Sequence, residues 1–264
     1  MSYVNKVVWI TGASSGIGKA LALHLAEQGA KLIVSSRKKE DLNKVKELCQ
    51  DPDNIYVLDL DLAQHANFKE KAKEAIKAFG RVDVLVNNGG ISQRSLVKDT
   101  SIDVDERIMN INYLGTIALT KAVLPHFIEN QSGQFVVTTS IVGKIGTPLR
   151  SSYAASKHAL HGFFDSLRAE VYNDKIAITL ICPGYVTTNV SMNALTGDGT
   201  PQQTMDKATA NGIKPERFAK LMVRAMSAKK EEAYIAGAKE KLGVYVKRWI
   251  PKLFSIMVRK LSVT

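Results

Sequence analysis

The chain has 264 residues, 45% of them hydrophobic and 23% charged, enough apolar material for a large core and too much for a disordered chain. Two cysteines exclude a disulfide-dense scaffold, so Cys49 and Cys182 are expected to be reduced. The net charge of +11 calls for an acidic partner, a membrane surface or nucleic acid, but no zinc-finger, helix-turn-helix or base-stacking pattern accompanies it, so nucleic acid is not expected.

The first strand pattern, 6–10, holds the apolar run Val7-Val8-Trp9-Ile10 and leads directly into Thr11-Gly12-Ala13-Ser14-Ser15-Gly16-Ile17-Gly18. A helical pattern follows through Leu25 and ends at Gly29. Strand, glycine-rich turn and helix in that order predict a dinucleotide site, with the glycines admitting a pyrophosphate to the helix N-terminus. The second strand, 31–35, runs into Ser36-Arg37-Lys38-Lys39, with no carboxylate before Glu40. NAD sites place an acid near this strand end for the ribose 2′-hydroxyl, whereas a guanidinium fits a 2′-phosphate. NADP is therefore predicted, with Ser36 and Arg37 at the phosphate; a solvated basic helix start is the alternative reading of these residues.

Further strands are predicted at 55–59, 82–86, 134–139, 176–181 and 232–236, with helical patterns between most of them. That alternation predicts an α/β fold: one Rossmann-type, doubly wound domain around a seven-stranded parallel sheet covered on both faces. The domain is expected to span 1–240, with 241–264 as a separate basic, amphipathic segment. A helical pattern from Ile102 to Glu129 carries Asn112 among apolar neighbours, and a buried Asn needs partners. The strand at 134–139 ends at Ser140, on the sheet edge where open α/β folds hold ligands. In the next helix, 151–172, Tyr153 and Lys157 share a face at i and i+4. A cation beside a phenol favours the phenolate and brings tyrosine toward acid/base duty at neutral pH.

Residues 189–212 interrupt the α/β rhythm with Gly, Thr and Pro, which predicts either a mobile lid offering Met192, Leu195 and Met205 to a substrate or a disordered surface loop. Ile91, Ile141, Val142, Leu149 and Tyr185 adjoin the candidate catalytic residues; if they line the pocket, they favour a lipophilic substrate over a sugar. From Lys241 onward, six Lys and Arg alternate with aromatic and aliphatic residues and no acid. Tyr245, Trp249, Leu253 and Ile256 follow helical spacing, with Pro251 as a kink or a second start. This segment either lies in a membrane interface or packs on the domain or a partner subunit with its basic side outward. No apolar run reaches the ~18 residues of a spanning helix, and the first strand begins too near Met1 for a signal peptide. A cytoplasmic protein, or one peripheral on a membrane surface, is expected.

The motifs TGxxxGIG at 11–18, Asn87-Asn88-Gly89-Gly90, Asn112, Ser140, Tyr153-x-x-x-Lys157 and Pro183-Gly184 together resemble the short-chain dehydrogenase/reductase family over about residues 5–240. Within it, NNGGISQRSL and YAASKHALHGFF are similar to the member 7 type, a branch neighbouring the 11β-hydroxysteroid dehydrogenases. The resemblance implies Tyr153 as general acid or base, Lys157 as its pKa modulator and ribose ligand, Ser140 as donor to the substrate oxygen, and Asn112 as holder of a relay water. It implies Asp61 and Leu62 beside the adenine, Asn88 beside the adenine ribose, and Pro183, Gly184, Val186 and Thr188 facing the nicotinamide. With them, Gly12, Ser14, Ser15, Gly16, Ile17, Gly18, Ser36, Arg37, Gly90, Tyr153 and Lys157 complete the cofactor contacts. Gly89 stands where the family usually has Ala, and Ser15 where many NADP-dependent members have a basic residue, so the phosphate assignment rests mainly on Arg37. The family usually forms dimers or tetramers through its fourth and fifth helices, which correspond here to 102–129 and 151–172. The implied activity is NADP(H)-dependent reduction or oxidation of a hydrophobic ketone or secondary alcohol, of steroid, retinoid or lipid type. Two other readings fit the chain: a 3-oxoacyl carrier-protein reductase docking an acidic carrier on the basic surface, and a non-catalytic NADP-binding regulator.

Overall fold

The computed structural model of the protein describes residues 2–259. Seven strands, β1 (Val7–Thr11), β2 (Lys31–Ser36), β3 (Ile55–Asp59), β4 (Val84–Asn87), β5 (Gly133–Thr138), β6 (Ile176–Pro183) and β7 (Glu232–Ile235), form one sheet in the order β3-β2-β1-β4-β5-β6-β7. Every pairing is parallel. Burial on both faces explains why the strands read as unbroken apolar runs; all five residues of β1 are buried. Trp9 fills one face and donates its indole N–H to Ser35 Oγ at 2.9 Å, which settles the single polar atom of the largest core side chain.

Helices α1 (Gly16–Ala26), α2 (Lys39–Glu47) and α8 (Pro215–Ser227) lie in the connections on one side, and α3 (Phe68–Phe79), α5 (Gly115–Glu129) and α6 (Ser151–Glu170) on the other. Val8, Ile10, Leu32 and Val34 face the first group, and Trp9, Ile33, Leu85 and Phe135 the second, following the two-residue period of a strand. The strand order reverses between β1 and β4. Ligands of such sheets sit at that switch point, beyond the carboxyl ends of the strands, and the glycine turn, Asn88 and Ser140 all follow strands there.

The predicted single helix from Ile102 to Glu129 has three parts: α4 (Ile102–Met109), a π turn (Asn110–Leu114), and α5, which accommodates Pro125. The widened turn lies where Asn112 is drawn into the interior, a recurrent use of π turns at functional positions. At its end Gly115 lets the backbone pass so close to the Leu62 carbonyl that a Cβ would collide with it. The segment after β6 contains the short α7 (Lys207–Ala210), and the chain continues past β7 into α9 (Ala238–Trp249) and α10 (Pro251–Val258).

Gly115→Ala is expected to destabilise the protein by about 1–3 kcal/mol, because the obstructing atom is main chain and cannot move aside as a side chain would. Urea unfolding that left the midpoint unchanged would show that the approach is looser than described.

Candidate active site

Ser140, two residues beyond β5, caps the 3-10 turn Ile141–Gly143, its Oγ accepting the Val142 N–H at 3.2 Å. On α6, Tyr153 directs its hydroxyl to Ser140, and the two are hydrogen-bonded. One turn later Lys157 is buried, and its Nζ donates to the Thr138 carbonyl at 2.8 Å. Asn112 is fully buried: its Oδ1 accepts the Ile91 N–H at 2.8 Å, and its Nδ2 donates to the Ile91 carbonyl at 2.9 Å and to Ser156 Oγ at 3.1 Å. The four residues named from the sequence therefore converge on one end of the sheet.

Their electrostatics differ from the expectation in one respect. Burial raises the Tyr153 pKa, and the influences that lower it are the Ser140 hydrogen bond and the positive charges of Arg150 and Arg94. Lys157, whose own pKa is lowered to about 8 by desolvation, stands 5.8 Å from the Tyr153 ring centroid with its ammonium committed to Thr138. Loss of water around the phenol outweighs the cations, and the cations that lower its pKa are guanidiniums. The side chain of Asn112 is likewise committed at both ends of its amide, so its arrangement is that of a clamp on Ile91 and α6.

Arg94, Arg150 and Asp206 were not singled out in the sequence, because residues 112 positions apart carry no common pattern. All three are buried. Arg94 Nη2 lies 2.5 Å from Asp206 Oδ2 and Arg150 Nη2 3.7 Å from the same oxygen, while the Arg150 guanidinium sits 5.3 Å from the centroid of the Tyr185 ring. Gln93, next to Arg94, accepts the Ser152 N–H at 2.9 Å on Oε1, at the start of α6. Leu149, just upstream, holds a left-handed φ of 64°, a strained conformation for a non-glycine residue.

The ion pair also corrects the reading of 189–212. This segment is not a disordered loop: the Leu195 N–H bonds the Ser92 carbonyl at 2.9 Å, the Arg94 N–H bonds the Leu195 carbonyl at 2.8 Å, and Ser101 reaches Gly197. Leu195 packs with Val104 and Ile108 and so offers no free apolar surface, whereas Met192 and Met205 remain partly exposed. Of the expected pocket-lining residues, Ile141 instead packs against the C-terminal helix residue Phe254.

The residues expected at a dinucleotide lie at the carboxyl ends of the strands and in two cavities beside them. Gly12 and Gly16 take left-handed φ values of 64° and 53°, and a Cβ on Gly12 would come within 2.8 Å of the Gly89 Cα. Asn88 Nδ2 braces the turn through the Thr11 carbonyl at 3.1 Å, and its Oδ1 accepts from Thr138 at 3.2 Å. Gly89 has an ordinary φ; what its missing Cβ provides is room for the Leu62 methyl, so backbone freedom is not its purpose. Ser15, Gly16 and Thr188 line a cavity of about 570 Å³ between the glycine turn and the segment after β6, which also contains Lys19 and Lys220. Ser14 and Ile17 flank that turn, with Gly18 buried behind it, and Val186 is buried beside the Pro183-Gly184 end of β6. A second cavity of about 230 Å³ is lined by Arg37, Asp61 and Lys71, among others, and Ser36 is at its strand end. Lys71 was missed because it lies on α3, far from the β2 end; it also pairs with Asp59 at 3.2 Å. A turn with left-handed glycines at Gly12 and Gly16, opening on a cavity that Lys19 and Lys220 share with Glu27 and Glu216, and Arg37 in the outer pocket fit a dinucleotide.

A family model described as short chain dehydrogenase matches residues 6–198. The chain belongs to the short-chain dehydrogenase family. It is an oxidoreductase of that family, and relatives of the member 7 type are similar to it over most of the chain. It is 43% identical over 262 residues to dehydrogenase/reductase SDR family member 7B of Xenopus laevis, covering 95% of this chain and 80% of that one. It is 42% identical over 251 residues to dehydrogenase/reductase SDR family member 7 of Homo sapiens, covering 93% and 74%. Among solved structures, a short-chain dehydrogenase from Burkholderia phymatum in complex with NAD matches with a TM-score of 0.83 at 22% identity, covering 96% of both chains. Levodione reductase matches with a TM-score of 0.82 at 25% identity over 90% of this chain and 99% of that one. These structures share the fold, and a nicotinamide cofactor is the family's common ligand.

Removing the carboxylate from the buried arginine pair should be costly. Asp206→Asn is expected to lose about 3–5 kcal/mol at neutral pH, since the buried Arg94 guanidinium would lose the carboxylate it is bonded to. The Asp206 pKa is set by opposing causes, desolvation raising it and the Arg94 and Gln202 hydrogen bonds lowering it, with a net depression. A depressed carboxylate contributes stability above its unfolded pKa, and that contribution disappears as pH falls through the folded value. The stability gap between wild type and variant, followed by denaturant unfolding from pH 7 downward, should therefore close below about pH 4; a gap that persists in acid would contradict the assignment.

Proposed function

We propose that the protein is an NADP(H)-dependent oxidoreductase acting on a hydrophobic ketone or secondary alcohol, with Tyr153 as general acid or base. The observation that carries this reading is the placing of Tyr153 within hydrogen-bonding reach of Ser140 at the carboxyl end of the sheet, with Lys157 buried one turn behind. The bound cofactor supplies or accepts the hydride. In reduction Tyr153 Oη gives its proton to the substrate oxygen while Ser140 Oγ donates a hydrogen bond to it, stabilising charge as it develops. Arg150 and Arg94 ease the ionisation that the phenol must undergo, and Lys157, protonated below about pH 8, offers its ammonium to the ribose side. A water relay at Asn112 would be held by its main chain, since the side-chain amide is already engaged.

Arg37 at the outer pocket supports NADP over NAD, a guanidinium being a group that fits a 2′-phosphate, whereas Lys71 there is paired with Asp59. Half-exposed Met192 and Met205, together with Tyr185, support a lipophilic substrate. The long helices α5 and α6 carry the surface through which a homodimer or homotetramer would assemble.

Oxidation of NADPH by a panel of steroid, retinoid and lipid ketones is the test. Tyr153→Phe is expected to lower turnover by roughly 10²- to 10⁴-fold while leaving cofactor binding intact. Arg37→Ala should raise the KM for NADPH by roughly 10- to 100-fold, with little change for NADH. Full activity in Tyr153→Phe would overturn the mechanism. NADPH binding without turnover of any carbonyl would favour a regulator, and salt-sensitive turnover of carrier-bound 3-oxoacyl thioesters a carrier-protein reductase.

A further inference from the structure

Seven of the eighteen large hydrophobic side chains exposed among the described residues lie between Leu242 and Met257, whereas most of the others are scattered singly over the domain. On α9, Leu242, Tyr245 and Trp249 recur at helical spacing; on α10, Leu253, Ile256 and Met257 do the same. The opposite faces hold the helices to the domain. Phe254, only 5% exposed, packs with Ile141, Ile145 and Cys182, with Val244 and Val258 beside it. The outward face is thus what remains after the segment has docked. The packing alternative read from the sequence is satisfied by one side of the helices and leaves the other unused.

The charge around that face is of one sign. Lys241, Lys247, Arg248, Lys252 and Arg259 accompany it, with no acid between Lys241 and Arg259. Lys260 and Leu261, counted in the same basic segment of the sequence, lie outside the described residues. Neither helix can span a bilayer, at 12 and 8 residues, and no described helix is long and apolar enough to do so. Short helices with Trp, Tyr and Leu outward, flanked by Lys and Arg, match the interfacial layer of a bilayer, where aromatic rings sit at headgroup depth and cations meet anionic lipid.

We infer that α9 and α10 form a platform that docks the protein flat on an anionic membrane surface. Phe254 and Ile141 connect this platform to the turn that begins at Ser140, so docking brings the catalytic end of the sheet close to the lipid. The inference stands on the exposed face and its charge, and holds whether or not the redox reading is correct.

The test is co-sedimentation of the full chain with phosphatidylcholine vesicles, with and without phosphatidylserine. Binding is expected to the anionic vesicles and to weaken with salt. Trp249→Glu combined with Leu253→Glu should lower the affinity by more than roughly tenfold. Lys247→Gln combined with Arg248→Gln should lower it by roughly fivefold for each charge removed. Thermal unfolding and NADPH binding should match wild type in both variants, since these side chains are outside the core and the cofactor path. The chain contains two tryptophans, and Trp9 is fully buried while Trp249 is 77% exposed. Quenching by brominated lipid would therefore report Trp249 and should vanish in the glutamate variant. Wild type left in the supernatant with anionic vesicles would overturn the inference. So would a dimer that the glutamate variant converts to monomer, because a second copy would then be what covers the face.

Discussion

The site depends on one hydrogen bond: the Lys157 ammonium, buried beneath α6, donating to the Thr138 carbonyl at the end of β5. A buried cation without such a partner would be expensive, and burial has already lowered this one to a pKa of about 8. The bond ties the helix to the strand edge at one height and rotation. Given that register, Tyr153, one turn earlier, meets Ser140, the second residue beyond the strand. Ser156, the residue before Lys157, is bonded to Asn112, so the π turn and α6 are positioned by the same contact set. Each proton-handling group is held by groups outside the reaction, which is how a site keeps its geometry through turnover.

The second constraint is electrostatic. Two arginines and one aspartate form a buried set, and both arginines lower the Tyr153 pKa. A low-dielectric setting lengthens the reach of such charges, and their effect on the phenol opposes the penalty of its own burial. The same ion pair fastens residues 189–212 against the segment that follows β4, so the groups adjusting Tyr153 also shape one wall of the cleft. Charge and shape are coupled there through Asp206.

Much of the fold was legible because parallel strands buried on both faces leave uninterrupted apolar runs, and five of the seven strands begin and end within one residue of the expected limits. The glycine turn was legible because left-handed φ values at Gly12 and Gly16 select a residue type. The π turn was not: Asn110 to Leu114 keep a helical pattern of apolar residues, and only burial of Asn112 shows the widened turn. Residues 189–212 looked like a loop since their order comes from main-chain bonds to Ser92, Arg94 and Ser101, which composition does not record. Arg94, Asp206 and Lys71 became visible only when the fold brought distant segments together. For the C-terminal helices, spacing gave amphipathicity, but which stripe faces outward required Phe254 to be seen in the core.

The central claim, that this cleft transfers hydride to a lipophilic carbonyl, is tested most directly with NADPH deuterated at the transferring position of its nicotinamide. The account predicts deuterium on the carbinol carbon of one lipophilic product class, formed by wild-type protein at catalytic concentration. Tight binding of the labelled cofactor with no transfer to any member of a broad ketone panel would contradict it.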